Sequence, residues 1–302
     1  MRELLEQLNA SLIEVVSKLE IKGYLFPYFK EQIIPETVVK TADLIRAFST
    51  LKVTQSDHPA EVKAESVNFG VYPLADLRYK SVLTPDELRA WERISGDLPT
   101  AVAGKIQRGL AYITLTQDKL IAKAFTGSIS HPAYPSGTFS VSFGTPASVS
   151  WSASDDFINK LTDGINKIRS KGFGGKLRLF VGRTAFHRIL SDSTLSTLLT
   201  AQSIAGSFVA GESNLIVLGV EIIPAFIEVD GSPLVADNRA YLVAEDSIVN
   251  VYGLPNLINA QPVKYQPVIV YNEHDLQGAE IVVASRYLPV AFVEGIVEYQ
   301  LS

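Results

Sequence analysis

Histidine is the side chain best suited to proton transfer near neutral pH, and this chain has four histidines and no cysteine. His58, His131, His187 and His274 are far apart in the sequence, and no two share a helical face as the metal-binding H-E-x-x-H pattern requires. Asp275 follows His274 directly, but no serine stands in the G-x-S-x-G elbow of a hydrolase. The absence of cysteine also excludes thiolate nucleophiles, cysteine-type zinc sites and disulfides. The sequence therefore predicts no catalytic, metal or cofactor site.

A glycine-rich segment, Gly172-Phe173-Gly174-Gly175-Lys176, is the best candidate for a phosphate-binding loop. Phosphate loops follow a strand and precede a helix, so that the helix N-terminus faces the anion. Here a predicted helix comes first and a predicted strand second, which favours a helix C-cap and a tight turn. Asp155 and Asp156 are a candidate cation site, but the helix dipole alone explains acidic residues in a first helical turn.

One enzymatic alternative comes from residues 151–265, where predicted helices and strands alternate. An α/β domain of this kind carries its site at the C-terminal ends of its strands. Arg183, His187 and Asp237 are the scattered candidates for such a site. Because nothing in their spacing predicts a cluster, this enzymatic interpretation ranks behind those in which the protein has a structural role.

The composition is that of a folded chain, with 302 residues, 47% hydrophobic and 20% charged. A formal net charge of -5 argues against a protein that grips nucleic acid, because that grip depends on Lys and Arg neutralising phosphates. No basic and apolar leader opens the sequence, and no run of about 18 apolar residues occurs, so we expect neither secretion nor a membrane-spanning segment.

The predicted elements are organised around a long helix. Thr84-Pro85-Asp86-Glu87 is a capping box that marks a helix start. After an interruption, a second helical run is predicted from Ala101 to Thr126, with Gly127 at its C-cap. Gly104 and Gly109 each cost about 1 kcal/mol relative to alanine, which makes the region near Gly109 a candidate for a kink or a break. The apolar residues that keep the 3.6-residue period are Val102, Ile106, Leu110, Ile113, Leu120 and Ile121.

The N-terminal part predicts a helix, an aromatic segment and a long excursion. Residues 1–22 form an amphipathic pattern, and residues 24–29 are aromatic and must be buried on their own core or on a neighbour. Residues 33–39 predict a strand, and Pro35 suggests that it lies at a sheet edge. Residues 54–80 lack a sustained period, so we expect a long excursion, with a two-stranded arm as one form.

The rest of the chain alternates helices and strands and then closes on strands. Strands are predicted at residues 138–143, 177–181, 215–224 (with a bulge at Gly219), 240–243, 249–252, 268–271, 280–284 and 290–299, and helices from Ser154 to Gly172, at 184–190 and from Ser193 to Leu199. The predicted fold class is α+β.

Taken in order, several segments resemble the lambda-type major capsid protein family of tailed bacteriophages, which has the Hong Kong 97 shell fold. They are Tyr24–Val39, the excursion before Thr84, the helical region 84–127, Thr138–Gly144 with Val149-Ser150-Trp151, Leu177–Leu190, and Ser285-Arg286-Tyr287-Leu288-Pro289-Val290. The resemblance covers nearly the whole chain and lies in the order and spacing of these motifs.

The resemblance implies a division of the chain into five parts. These are an N-terminal arm with a first strand at 1–53, an extended loop arm at 54–83, a spine helix and β-rich peripheral domain at 84–150, an axial α/β domain at 151–265, and C-terminal strands at 266–302 that return to the core. The candidate subunit-contact residues are Phe26, Tyr28, Phe29, Glu61, Lys63, Phe69, Tyr72, Arg78 and Lys80.

The resemblance also implies a function. It is that of a major capsid protein, not an enzyme, that needs no cofactor and assembles into the icosahedral head shell of a phage. Implied partners are further copies in pentamers and hexamers, scaffolding and portal proteins, an optional decoration protein, and enclosed double-stranded DNA bound without sequence specificity. The implied location is the virion, after assembly in the bacterial cytoplasm. Because the predicted loop starts within about sixty residues, we expect any scaffold to be a separate protein.

An encapsulin-type nanocompartment shell is the alternative that keeps the same fold. It would hold the tail of a cargo enzyme and contain no nucleic acid.

Overall fold

The computed structural model describes residues 23–40, 71–84, 86–87, 100–132, 137–152, 154–195, 215–255, 263–271 and 279–302. The predicted helix at 1–22 and residues 54–70 of the predicted excursion lie outside these ranges, as does most of the helix predicted from Ser193 to Leu199. No helix within the described ranges is long and apolar enough to span a membrane.

Within these ranges the α-helices are α1 (Thr100–Ala124), α2 (Phe157–Ser170) and α3 (Arg183–Leu190). The strands are β1 (Lys30–Ile33), β2 (Val38–Lys40), β3 (Val71–Pro73), β4 (Ala75–Leu83), β5 (Ser128–Pro132), β6 (Thr138–Ser142), β7 (Ala147–Trp151), β8 (Leu177–Val181), β9 (Leu215–Val217), β10 (Val220–Pro224), β11 (Glu228–Val229), β12 (Ser232–Pro233), β13 (Arg239–Ala244), β14 (Ile248–Gly253), β15 (Gln266–Tyr271), β16 (Ala279–Ala291) and β17 (Ile296–Leu301). The mixture of helices and strands confirms the predicted class.

Helix α1 is 25 residues long, and every residue of its predicted apolar stripe is buried. Gly127, at φ +79°, ends it in the left-handed conformation that glycine adopts at low cost. The helix continues through Gly109, so the sequence expectation of a kink or a break there is wrong as to the break, and the kink stays a prediction. A Cβ at Gly109 would lie 2.7 Å from Tyr79 Cδ1 and 3.0 Å from Val283 Cγ2. This glycine therefore lets α1 approach the sheet beneath it closely.

The capping box predicted before α1 is present. Thr84 N donates to Glu87 Oε2 at 2.8 Å, and Glu87 N donates to Thr84 Oγ1 at 3.3 Å. Lys105 Nζ on α1 donates to the same carboxylate at 2.6 Å. These bonds join the capping box to the first turns of α1, while residues 88–99 lie outside the described ranges.

The sheet beneath α1 has five strands, with the 13-residue β16 at its centre. Tyr287 of β16 pairs with Ala75 of β4 and with Tyr252 of β14, so these two strands flank β16 on opposite sides. Strand β15 pairs with the first half of β16, and β1 runs parallel to β14 at an outer edge.

The second sheet has six strands in the order β7-β17-β13-β8-β10-β9. Because side chains alternate along a strand, Leu179 of β8 packs with α2 and α3, whereas Phe180 packs in the core around α1. Strand β13 divides in the same way, because Tyr241 packs in the core around α1 and Leu242 packs in the core beside α2 and α3. The six-stranded sheet therefore separates two apolar cores.

Residues 71–83 correct the predicted arm. Strand β3 pairs with β2, and β4 pairs with β16 along its whole length. Leu77 and Leu83 of β4 are buried, so this strand belongs to the core. Charged residues between these positions conceal the two-residue apolar period in the sequence. The assignment of an extended arm over 54–83 is therefore wrong for residues 71–83.

Several predicted boundaries also change. Pro35 separates β1 from β2, where one strand was predicted. Leu218 and Gly219, at φ +51° and +76°, form the two-residue turn of a β9–β10 hairpin, so Gly219 is no bulge. The two strands predicted at 280–284 and 290–299 are instead the continuous β16 and the shorter β17.

The boundary predicted at residue 265 does not separate the two sheets. Strand β14, from the predicted axial part, lies in the five-stranded sheet, and β17, from the C-terminal part, lies in the six-stranded sheet. Each sheet therefore combines strands from distant parts of the chain.

Candidate functional site

The candidate catalytic residues make structural contacts. Arg183 on α3 pairs with Glu228 at 3.8 Å, and Asp237 meets α3 through its backbone carbonyl, which accepts a hydrogen bond from Ala185 N at 2.9 Å. His187 lies one turn further along the same helix. Within the described part of the chain, no three His, Cys, Asp or Glu side chains are grouped as a metal site.

The glycine-rich segment 172–176 is a helix end, as its sequence context predicts. Gly172, at φ +87°, follows α2, and β8 begins at Leu177. At the other end of α2, Asp156 accepts hydrogen bonds from the backbone N–H groups of residues 158 and 159, at 2.7 Å and 3.4 Å. Asp156 is therefore the N-cap, so the helix start predicted at Ser154 is two residues too early.

A buried carboxylate joins the N-terminal segment to α1. The side chain of Asp118 accepts hydrogen bonds from Tyr24 N at 2.6 Å and from Leu25 N and Phe26 N at 2.9 Å each. Burial raises the pKa of the Asp118 carboxyl, although the three hydrogen bonds act in the opposite direction. Asp118 therefore anchors residues 24–26 on the long helix.

Further buried polar groups connect α1 to the five-stranded sheet. On α1, Gln117 Oε1 accepts a hydrogen bond from Tyr265 Oη, directly before β15, at 3.0 Å, and Gln117 Nε2 donates to Ser285 Oγ of β16 at 3.4 Å. Within the sheet, Tyr287 Oη of β16 donates to Asn250 Oδ1 of β14 at 2.6 Å. Gln117 and Asn250 are fully buried. Hydrogen bonds therefore add specificity to the apolar packing at this interface.

The aromatic contact candidates of the N-terminal segment pack on the chain's own core. The ring of Phe29 lies 5.8 Å from that of Phe180, and Tyr28 meets the same ring edge-on at 5.6 Å. Phe26 packs edge-on against Tyr252 at 6.2 Å. Because Phe29 is buried, it is a core residue, which corrects its assignment as a subunit contact.

Three further contact candidates lie on β3 and β4. Tyr72 is partly buried, Arg78 pairs with Asp76 at 2.7 Å, and Lys80 pairs with Glu280 across the sheet at 3.6 Å. Their part in subunit contacts stays a prediction. The remaining candidates, Glu61, Lys63 and Phe69, lie outside the described residues.

An open cleft of about 900 Å³ lies beside α1. Its walls are the outer side of α1, the start of β4, the end of β5, the hairpin of β11 and β12, and the start of β13. Burial lowers the pKa of His131 in this cleft, and the nearby Lys123 and Lys119 lower it further. The other charged groups of the lining are Arg78, Lys119, Lys123 and Arg239 with the two carboxylates Asp76 and Asp230.

Sequence reasoning missed both Asp118 and the cleft. The signal for Asp118 is an acidic residue next to the apolar stripe of α1, three residues before Ile121. The cleft has no local signal, because its walls come from three separate stretches of the chain, 76–78, 112–132 and 230–241.

No protein-family model matches the chain, and no curated protein matches it in sequence. Solved structures do match over nearly its whole length. A prophage capsid protein from E. coli CFT073 superposes with a TM-score of 0.63 at 13% identity, covering 97% of this chain and 99% of that chain. The chain has the Hong Kong 97 capsid fold.

Two further structures show the same capsid fold. The capsid of cyanophage P-SCSP1u has a TM-score of 0.52 at 11% identity, with 94% of this chain and 89% of that chain covered. A virus-like particle from Pyrococcus furiosus has a TM-score of 0.50 at 14% identity, with 99% and 100% covered. The capsid fold predicted from the sequence is therefore confirmed, whereas membership of the lambda-type family stays a prediction.

Proposed function

We propose that the chain is the major capsid protein of a tailed phage or prophage and assembles into the icosahedral shell of its head. The observation that carries this proposal is the full-length likeness to the prophage capsid protein. A likeness limited to one domain would leave the role of the remainder open, but here 97% of the chain is covered.

The surface of the chain is compatible with that role. A closed shell needs heterologous contacts that close into rings, and such obligate contacts typically bury about 2,000–5,000 Å². Large apolar side chains are exposed on the β9–β10 hairpin, at Ile216 and Leu218, and on α1, at Tyr112 and Leu115. These positions lie on different elements, as contacts with several neighbours require.

The proposed partners follow from the role of a shell. They are further copies of the chain, a scaffolding protein, a portal protein and an optional decoration protein. The shell encloses double-stranded DNA without reading its sequence, and the net charge of -5 suits a container that must release its contents. The proposed location is the virion, after assembly in the bacterial cytoplasm. The role is structural rather than catalytic.

Electron microscopy of the purified chain tests the proposal. We expect negatively stained samples, alone or with a co-expressed scaffold, to contain rings or closed shells. A stable monomer at high protein concentration, under conditions that assemble other phage capsid proteins, would contradict it.

A nanocompartment shell is the second candidate, and the likeness to the virus-like particle from Pyrococcus furiosus favours it. The nucleic acid content of particles purified from the native host distinguishes the two. Packaged double-stranded DNA supports the phage shell, whereas particles that hold a protein cargo and no DNA support the compartment.

A further inference from the structure

The cleft beside α1 is cationic in a chain whose net charge is -5. Three of its cations already have carboxylate partners. Arg78 pairs with Asp76, Lys119 with Asp230, and Arg239 with Glu298. The fourth is Lys123, and among the residues that the structure describes its Nζ donates only to the backbone carbonyl of Ser130.

The surroundings of Lys123 favour an incoming anion. Burial lowers the pKa of the Lys123 ammonium, and Lys119 lowers it further, while no carboxylate among the described residues pairs with this ammonium. His131 shares the cleft and responds to the same two lysines. A carboxylate placed here would stabilise the Lys123 ammonium and gain a charge-assisted hydrogen bond.

The rim of the cleft has the composition of a protein contact. Tyr112 is 53% exposed at the rim, and its ring lies 6.0 Å from that of Tyr79. Arg78 and Arg239 also line the cleft. Tyrosine and arginine are enriched where protein interfaces are energetically strongest, so these side chains favour a protein occupant over a free ion.

We propose that this cleft is a contact site for a second copy of the chain, and that Lys123 receives an Asp or Glu side chain from that copy. The proposal rests on the proposed function, since a shell supplies the second copy. Charge complementarity favours a second copy as the occupant, because the chain has 32 Asp and Glu against 27 Lys and Arg, whereas cations outnumber carboxylates in the cleft lining.

Zero-length cross-linking tests the contact in assembled particles. A carbodiimide joins a lysine Nζ to a carboxylate that touches it, and mixing ¹⁴N-labelled with ¹⁵N-labelled chains reveals links between copies by mass spectrometry. We expect a mixed-isotope link from Lys123 to an acidic residue. Links from Lys123 that are absent, or confined to one copy, would overturn the proposal.

Charge reversal at Lys123 tests how much the proposed contact contributes to assembly. We expect Lys123→Glu to raise the concentration needed for assembly by at least about tenfold, and Lys123→Gln to have a smaller effect. Lys30→Glu is the matched control, since Lys30 is exposed on β1, at the other edge of the five-stranded sheet from β4. Circular dichroism and urea midpoints establish that each variant is folded.

The outcomes separate the inference from the proposed function. If the wild-type chain never assembles, both fail. If it assembles, and Lys123→Glu assembles equally well, only the inference fails. If Lys123→Glu assembles normally but its particles lose DNA, the cleft faces nucleic acid, which also overturns the contact between copies.

Discussion

The Asp118 carboxylate accepts hydrogen bonds from backbone N–H groups at the start of a short helix, where the helix itself provides no acceptor. The first N–H groups of a helix lack intrahelical acceptors, and residues 26–28 form a short 3₁₀ helix whose own N-cap, Leu25, makes no side-chain cap hydrogen bond. The Asp118 carboxylate fills this role from 92 to 94 residues away along the chain. One side chain therefore caps the N-terminal turn and fixes it on α1.

Substitutions of Asp118 measure how much this cap stabilises the folded chain. We expect Asp118→Ala to lower the free energy of unfolding by about 3 kcal/mol, because the buried N–H of Leu25 and the part-buried N–H groups of Tyr24 and Phe26 lose their acceptor. Asp118→Asn keeps one oxygen for Leu25 N and Phe26 N but turns an amide donor toward Tyr24 N, so we expect a loss of about 1–2 kcal/mol. Urea denaturation followed by circular dichroism measures both. Equal losses for the two variants would contradict the capping role.

The raised pKa of Asp118 predicts a pH dependence. The pKa of Asp118 is higher in the folded chain than in the unfolded chain, where a carboxyl group has a pKa of about 4. The stability that this difference contributes is therefore fully present below the unfolded pKa, and it is lost as the pH rises through the folded pKa. We therefore expect the unfolding free energy of the wild type, relative to that of Asp118→Asn, to increase as the pH is lowered from neutral. Urea denaturation at a series of pH values measures it, and a constant difference would contradict it.

Two glycines of α1 provide a matched pair. A Cβ at Gly109 would meet Tyr79 and Val283, whereas a Cβ at Gly104 would meet no atom within 4 Å. We expect Gly104→Ala to stabilise the chain by up to about 1 kcal/mol through helix propensity, and Gly109→Ala to destabilise it by about 1–3 kcal/mol through overpacking. Thermal and urea denaturation measure both, and equal signs would contradict the close approach.

At the scale of elements, the sequence predicts best where a pattern is long and local. The stripe of α1 repeats over about seven turns and ends at Gly127, so its position follows from period and cap alone. Strand β4 carries charged residues between its buried residues, and its place is decided by pairing with β16 about 200 residues later. The sequence shows Asp118 beside the apolar stripe, but it does not show the partners of this side chain, residues 24–26, because tertiary contacts bring them together.

Two deletions test the corrected position of β4. Removal of residues 58–79 takes away the start of β4 with the buried Leu77, so we expect loss of cooperative unfolding. Removal of residues 58–69 leaves β3 and β4 intact, and we expect a folded chain that fails to assemble if this stretch contacts a neighbour. Circular dichroism and light scattering distinguish the two variants. A cooperative transition with the wild-type midpoint in the larger deletion would contradict the core assignment.

At the scale of the whole molecule, strands from distant parts of the chain are combined in both sheets. Strand β16 connects β4 with β14 and β15, and the six-stranded sheet has one face in each apolar core. Exposed apolar residues and the cationic cleft are thus held on a common framework. A framework of this kind keeps contact surfaces in fixed relation, which a repeating shell needs.

Assembly is expected to make stability depend on concentration. Copies that bind the folded chain and not the unfolded chain raise the unfolding free energy, by about 2.7 kcal/mol when their free concentration is about 100 times the Kd. We therefore expect the urea midpoint of the wild-type chain to rise with protein concentration, and that of Lys123→Glu to change much less. Urea titrations across about a 100-fold range of concentration measure both. A wild-type midpoint that stays constant where microscopy shows shells would mean that the contacts between copies do not stabilise the folded chain, contrary to the proposed role.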